Sequence, residues 1–166
     1  MSEYTLTAQP ALGGYQETFE GVSLEEQTGL AIVSIATPIG GEDALVKALK
    51  DGYGAALPKT GEVSLSKDGQ TRFLGMARDQ MFAIFDHTEP DAVDIVGGKL
   101  KDVAYLTSQS DNWVGLRLSG SKSRDVLERI CPLDLEPSRF AEGKVARTSM
   151  EHMGVIILPD GADSFL

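Results

Sequence analysis

Two histidines, one cysteine and two Ser-x-x-Lys tetrads are the residues whose types and spacing could do chemistry in this chain. His87 and His152 stand about 65 positions apart with no cysteine set beside either. Zinc takes three or four nitrogen or sulfur ligands, usually arriving in close pairs, so each histidine reads as a surface or interface residue. Glu151-His152 has no second histidine at helical spacing, and the metalloprotease pattern fails. Cys131 follows an apolar helix end in Ile130-Cys131-Pro132-Leu133; with no base beside it, it reads as a small buried hydrophobe. Ser64-Leu65-Ser66-Lys67 and Ser119-Gly120-Ser121-Lys122 fit Ser-x-x-Lys, and Lys59-Thr60-Gly61 fits Lys-Thr-Gly. In penicillin-recognising enzymes that last element lies far downstream of the serine helix, whereas here it comes first, so the matches are accidental. Gly52-Tyr53-Gly54 ends a helix instead of opening one, and Gly97-Gly98-Lys99 lacks the upstream glycine and the Ser/Thr of a phosphate loop. The expectation is that this chain holds no catalytic, cofactor-binding or metal-binding residue.

Charge points instead toward association. Fifteen basic residues against 25 acidic ones give a formal charge of −10, which argues against nucleic acid, whose affinity comes from Lys and Arg on phosphate. Between Arg117 and Arg147 the balance reverses, with Arg117, Lys122, Arg124, Arg129, Arg139, Lys144 and Arg147 against five acids. This stretch reads as a mixed surface or as a local patch that meets an acidic partner. Trp113, the single tryptophan, reads as a packed rim residue or as an interface anchor. Trp113, Arg124, Arg129, Arg139 and Arg147 are the candidate partner contacts. The lone cysteine fits a reducing compartment, the N-terminus shows no secretory pattern, and apolar runs such as Val155–Leu158 fall far short of the ~20 residues of a membrane helix. A soluble cytoplasmic protein without membrane contact is expected.

These residues must be positioned by a chain of 166 residues, enough for one domain. Residues 1–27, with Pro10, Gly13, Gly14 and Gly21, read as an extended arm. Residues 28–166 read as one α+β module of two pseudo-repeats, 28–100 and 101–166. Leu30–Ala36 is a strand and 42–51 a helix, with Leu45, Val46 and Leu49 on its buried face and Gly52 ending it. Strands follow near 62–66, 72–77 and 81–86, with a turn at Asp79-Gln80, and then a helix near 91–99. The order recurs as a strand at 113–118, a helix opened by Gly120-Ser121 with Val126, Leu127 and Ile130 on one face, strands near 145–153 and 155–158, and a turn at Asp160-Gly161. The helix faces align at an offset of 81 and Leu74-Gly75 matches Met153-Gly154 at 79, which predicts two interlaced ferredoxin-like βαββ units.

The C-terminal half also carries a family likeness. Ser110-Asp111-Asn112-Trp113, Leu116-Arg117-Leu118-Ser119-Gly120, Arg124-Asp125-Val126-Leu127, Cys131-Pro132-Leu133-Asp134-Leu135, Phe140-x-x-Gly143, Arg147-Thr148 and Gly154-Val155-Ile156-Ile157-Leu158 follow one another. This run resembles the gamma subunit of heterotetrameric sarcosine oxidase, a shortened relative of the aminomethyltransferase (glycine-cleavage T-protein, folate-binding domain) fold. The likeness spans roughly residues 105–166 and extends more loosely over 28–86. Gly120-Ser121 departs from the Gly-Pro of such relatives, with serine as the expected helix N-cap. The sequence also stops at Ser164-Phe165-Leu166, part-way into an expected strand, as a truncated product or a short variant would, which predicts an under-supported last sheet position. The resemblance implies a non-catalytic gamma subunit in an assembly that oxidises sarcosine to glycine and hydrogen peroxide, passing the one-carbon unit to tetrahydrofolate or releasing formaldehyde. It places FAD, FMN, NAD, zinc and tetrahydrofolate on the alpha, beta and delta subunits and no cofactor on this chain. The rival readings are a stand-alone folate-binding protein of the transfer-RNA-modifying type and a small ligand-binding regulatory domain.

Overall fold

The computed structural model describes residues 9–166; the first eight positions of the expected arm lie outside the described residues. In chain order the elements are β1 (Gln16–Phe19), β2 (Val22–Gln27), β3 (Leu30–Ala36), α1 (Glu42–Tyr53), β4 (Val63–Leu65), β5 (Thr71–Ala77), β6 (Gln80–Asp86), α2 (Ala92–Leu100) and β7 (Tyr105–Ser108). A 3₁₀ turn at Ser110–Asn112 leads to β8 (Gly115–Ser119), α3 (Ser123–Ile130), β9 (Ala146–Met150), β10 (Met153–Ile157) and β11 (Ser164–Phe165). The α+β class is as the sequence predicts.

The first unit closes on itself. Its antiparallel sheet runs β4-β5-β6-β3-β7. Without the three-residue β4, the chain order β3-α1-β5-β6-α2-β7 in that arrangement is a complete ferredoxin-like split unit. Side chains alternate along its strands. Val33, Ile35, Phe73 and Ala83 face Leu45 and Leu49 of α1 and Val96 and Leu100 of α2, while Ile32, Leu74, Phe82 and Ile84 face the other way, onto Val145 and Leu158. A strand buried on both faces reads as a nearly continuous apolar run, which is why Leu30–Ala36, polar only at Ser34, is so plain in the sequence. Each fully buried aliphatic contributes roughly 1.5–3 kcal/mol, and that burial fixes the two helices on the sheet.

The second unit is built differently. Its sheet runs β1-β2-β8-β11, with β9 and β10 as an adjoining hairpin. Leu158 and Leu166 exchange backbone hydrogen bonds of 2.9 and 3.0 Å, joining the end of β10 to β11. Helix α3 packs Leu127 with Leu135, Phe140, Ile157 and Phe165. The layers are therefore α1 and α2, first sheet, second sheet, α3. Phe165 is buried at 2% exposure and its strand pairs with β8, so the last sheet position is supported where the sequence predicts a weak one.

Helical phase corrects the repeat alignment. The buried stripe of α1 is Leu45, Leu49 and Tyr53, and that of α3 is Ser123 and Leu127, followed by Cys131. These coincide at an offset of 78, while Val46 and Val126, expected inside, are exposed. Leu74-Gly75 and Met153-Gly154 are not equivalent either, since the first lies in β5 and the second in β10, after the hairpin turn. That turn, at Glu151-His152, holds two left-handed residues (φ 43° and 69°) and splits the single strand expected at 145–153. The β5–β6 hairpin turns at Arg78-Asp79, one residue early, and Gly54 rather than Gly52 caps α1 in the left-handed conformation. Lys122, not Ser121, is the N-cap of α3, and the hydroxyl of the next residue, Ser123, donates to the carbonyl of Asp163.

The described part of the expected arm is sheet. β1 and β2 form a hairpin, and β2 pairs with β8 from Ser23 to Gln27. Glu26 organises the segment before it, accepting the backbone N–H groups of Leu12 (3.0 Å), Gly14 (2.7 Å) and Tyr15 (3.3 Å). The Leu12 bond, then those of Gly14 and Tyr15, hold its carboxyl below the usual range. A depressed folded pKa contributes order that is complete above the unfolded value and lost as pH falls through the folded one. Hydrogen exchange of the Leu12, Gly14 and Tyr15 amides should therefore be slow at neutral pH and approach open-chain rates in acid. Glu26→Gln should raise those three rates at neutral pH and leave the amides of β3 and β6 unchanged.

Candidate functional site

An open groove of about 520 Å³ runs along the junction of the two units. Its apolar lining comes from Leu30, Val63, Leu65, Ile84 and Leu158, and its charged groups are Arg72, Asp86, Glu142 and Asp160. Arg72 and Asp160 are already committed to each other. The Arg72 Nη1 donates to Asp160 Oδ1 at 2.7 Å, while Nε and Nη2 of Arg117 reach Oδ2 at 2.9 and 2.8 Å. One carboxylate thus ties an arginine of β5 in the first sheet to an arginine of β8 in the second. Among the described residues, Asp86 and Glu142 have no cation within 4 Å. A smaller cleft of about 160 Å³ adjoins the groove through Gln70, Phe85 and Asp86, and is lined by Tyr53, Asp68 and Lys99. The Lys99 ammonium lies 4.3 Å from the centre of the Tyr53 ring. Burial, and then the charge of Asp68, pushes the Tyr53 hydroxyl up to about 12, so it stays a neutral phenol. Hydrogen bonds from the Ser66 hydroxyl and the Gln70 N–H hold Asp68 low, so it stays a carboxylate.

This donor set does not fit a flavin, a nicotinamide or a folate. Their phosphate or carboxylate groups need free cations or an amide cradle, and the groove offers the carboxylates of Asp86 and Glu142 beside an arginine already bonded to Asp160. Among the described residues, no three His, Cys, Asp or Glu side chains are gathered as metal ligands would be. Cys131 is buried at 5% exposure, as read from its apolar context. His87 bonds Asp91 one turn on, at 2.5 Å, and His152 sits exposed in the β9–β10 turn. No helix of the described residues is long and apolar enough to cross a membrane.

The five candidate contacts do not converge on one patch. Trp113 packs on the core between the sheets, its ring edge-on to Phe82 at 6.1 Å. Arg124 donates to the Leu135 carbonyl and lies 4.9 Å from the centre of the Phe165 ring. Arg139 is exposed and sits 3.3 Å from Asp134. Arg129 and Arg147 are exposed on different elements, α3 and β9. Ala146 and Met150 of β9 pack toward α3, so Arg147, between them in the strand alternation, projects from the other face. Of the remaining basic residues, Lys122 pairs with Glu20 and Lys144 with Glu62. The Arg72–Asp160–Arg117 bridge escaped sequence reading because its partners lie 88 and 43 positions apart, and Asp160-Gly161 carries only a turn signature.

The Trp113 indole N–H is buried without an acceptor. Trp113→Phe removes this orphan donor and keeps most of the ring, so stability should stay within about 1 kcal/mol. Trp113→Ala should cost about 3–4 kcal/mol. Urea unfolding of the two variants measures both.

The chain matches no model of a known protein family. It is 29% identical over 161 residues to the sarcosine oxidase gamma subunit of Corynebacterium sp. (strain U-96), spanning 96% of this chain and 75% of that one. It is 28% identical over 142 residues to the gamma subunit of an Arthrobacter species, spanning 80% of this chain and 68% of that one. Its fold superposes on a chain of the heterotetrameric sarcosine oxidase from Corynebacterium sp. U-96, solved in complex with pyrrole 2-carboxylate. There the TM-score is 0.72 and the identity 27%, over 87% of this chain and 73% of that one. The glycine cleavage system aminomethyltransferase T of Bartonella henselae shares the fold, with a TM-score of 0.55 at 15% identity, over 87% of this chain and 41% of that one. The resemblance read from residues 105–166 thus holds over nearly the whole chain, and the fold is of the aminomethyltransferase type.

Proposed function

We infer that this chain is the gamma-type subunit of a heterotetrameric sarcosine oxidase. The observation that carries the reading is the joint likeness of sequence and fold to gamma subunits over most of the chain. In this reading the assembly demethylates sarcosine to glycine with tetrahydrofolate as one-carbon acceptor, and the chain contributes structure rather than catalysis. The alpha, beta and delta subunits are its partners and carry FAD, FMN, NAD, zinc and the folate site. The carboxylate-lined groove supports placing the anionic ones among them, the flavins, NAD and folate, elsewhere. Arg129, Arg139 and Arg147 are exposed and are the arginines proposed to meet acidic surface on a partner. Trp113 and Arg124 serve chiefly to hold this chain together. Co-expression with the alpha, beta and delta subunits tests the reading. A stoichiometric complex containing this chain is expected, and its exclusion from an otherwise assembled complex would contradict it.

A further inference from the structure

We propose that the groove between the two units receives a basic peptide segment of an adjoining subunit. The segment sets an apolar side chain against Val63 and Leu65 and a lysine or arginine at the carboxylates of Asp86 and Glu142. This rests on the subunit reading above and adds to it a surface and the chemistry of its occupant.

Three observations support it. The first is shape. The groove opens to solvent, and Leu65 on its wall is 56% exposed. A small ligand there would keep much of its surface in water, unlike the 70–90% burial common in ligand pockets. A segment already anchored to a larger interface needs no such enclosure. The second is charge. Asp86 and Glu142 have no cation within 4 Å among the described residues, and Arg72 is already bonded to Asp160. An arriving cation meets two free carboxylates. The third is the field of the whole chain, which at −10 steers basic partners toward such a cleft. The low walls of the groove add access, since Gly69 and Gly143 line it and a Cβ at either would meet nothing within 4 Å.

Hydrogen exchange on the assembled complex tests this directly. Amides at 69–72, 84–86, 142–143, 158 and 160–161 should slow on assembly. The double variant Asp86→Lys/Glu142→Lys should associate roughly tenfold more slowly at low salt, with the gap narrowing at about 0.5 M salt. Asp51→Lys/Asp94→Lys makes the same charge change on α1 and α2 and should associate within about twofold of the unsubstituted chain. All four side chains are exposed, and the exchange measurement needs no variant. Assembly that leaves the groove amides unprotected, or an equal loss in both double variants, overturns the groove while leaving the subunit reading intact. Protection that arises in the chain alone as its concentration rises assigns the groove to a second copy and also overturns it. Failure of the unsubstituted chain to assemble removes both proposals together.

Discussion

Gly120→Ala is expected to destabilise the chain by about 2–4 kcal/mol, among the largest effects of any single methyl group in it. Gly120 joins β8 to α3 at φ +118°, a conformation that L side chains rarely adopt. An added Cβ would also lie 2.4 Å from the carbonyl oxygen of Gly21, well inside contact distance. That oxygen accepts the N–H of Lys122, the N-cap of α3, so the strain reaches the β1–β2 turn and the helix start together. Chemical denaturation should show a lower midpoint with an unchanged slope. Gly143→Ala offers the contrast of positive φ without crowding, because nothing lies within 4 Å of a Cβ there, and its cost should stay near 1 kcal/mol. Equal losses in the two variants would mean that the approach to Gly21 contributes nothing.

Asp160→Ala should cost about 2–3 kcal/mol, between the values for exposed and buried ion pairs, since the side chains involved are 21–36% exposed. The loss exceeds that of an ordinary surface pair because one carboxylate serves two arginines. Its removal leaves Arg72 and Arg117 repelling each other across the junction of the sheets. A double-mutant cycle of Asp160→Ala with Arg72→Met should return a coupling of about 1–2 kcal/mol. A coupling near zero would mean that apolar packing alone holds the units together. Raised salt should narrow the difference only partly, because the pair is half-buried.

The first unit is legible because its strands are buried on both faces. Met81–Phe85 is apolar throughout and Leu30–Ala36 is apolar except at the buried Ser34, and Pro38 and Gly54 bracket α1. The second unit is less legible because its strands are short and half-exposed. The burial of β9 alternates, Glu151-His152 makes its turn without glycine or asparagine, and Ser164–Phe165 is a strand of two residues. β1 and β2 were hidden because Gln16–Phe19 is wholly exposed and Glu26, a buried acid, breaks the apolar pattern of the neighbouring strand. Among the site residues, Asp86 and Glu142 gain meaning only from a groove formed by segments far apart in sequence. The arginines of 117–147 cluster in the chain and scatter in space, because strand alternation and the faces of α3 send them in different directions.

Sarcosine-dependent peroxide production reports whether this chain works as a gamma-type subunit. The alpha, beta and delta subunits would be assayed with and without it, alongside the chain by itself. The isolated chain should show no turnover, and a complex that contains it stoichiometrically should show full turnover. Peroxide production by this chain alone, or its failure to join that complex, would rule out the gamma-type role.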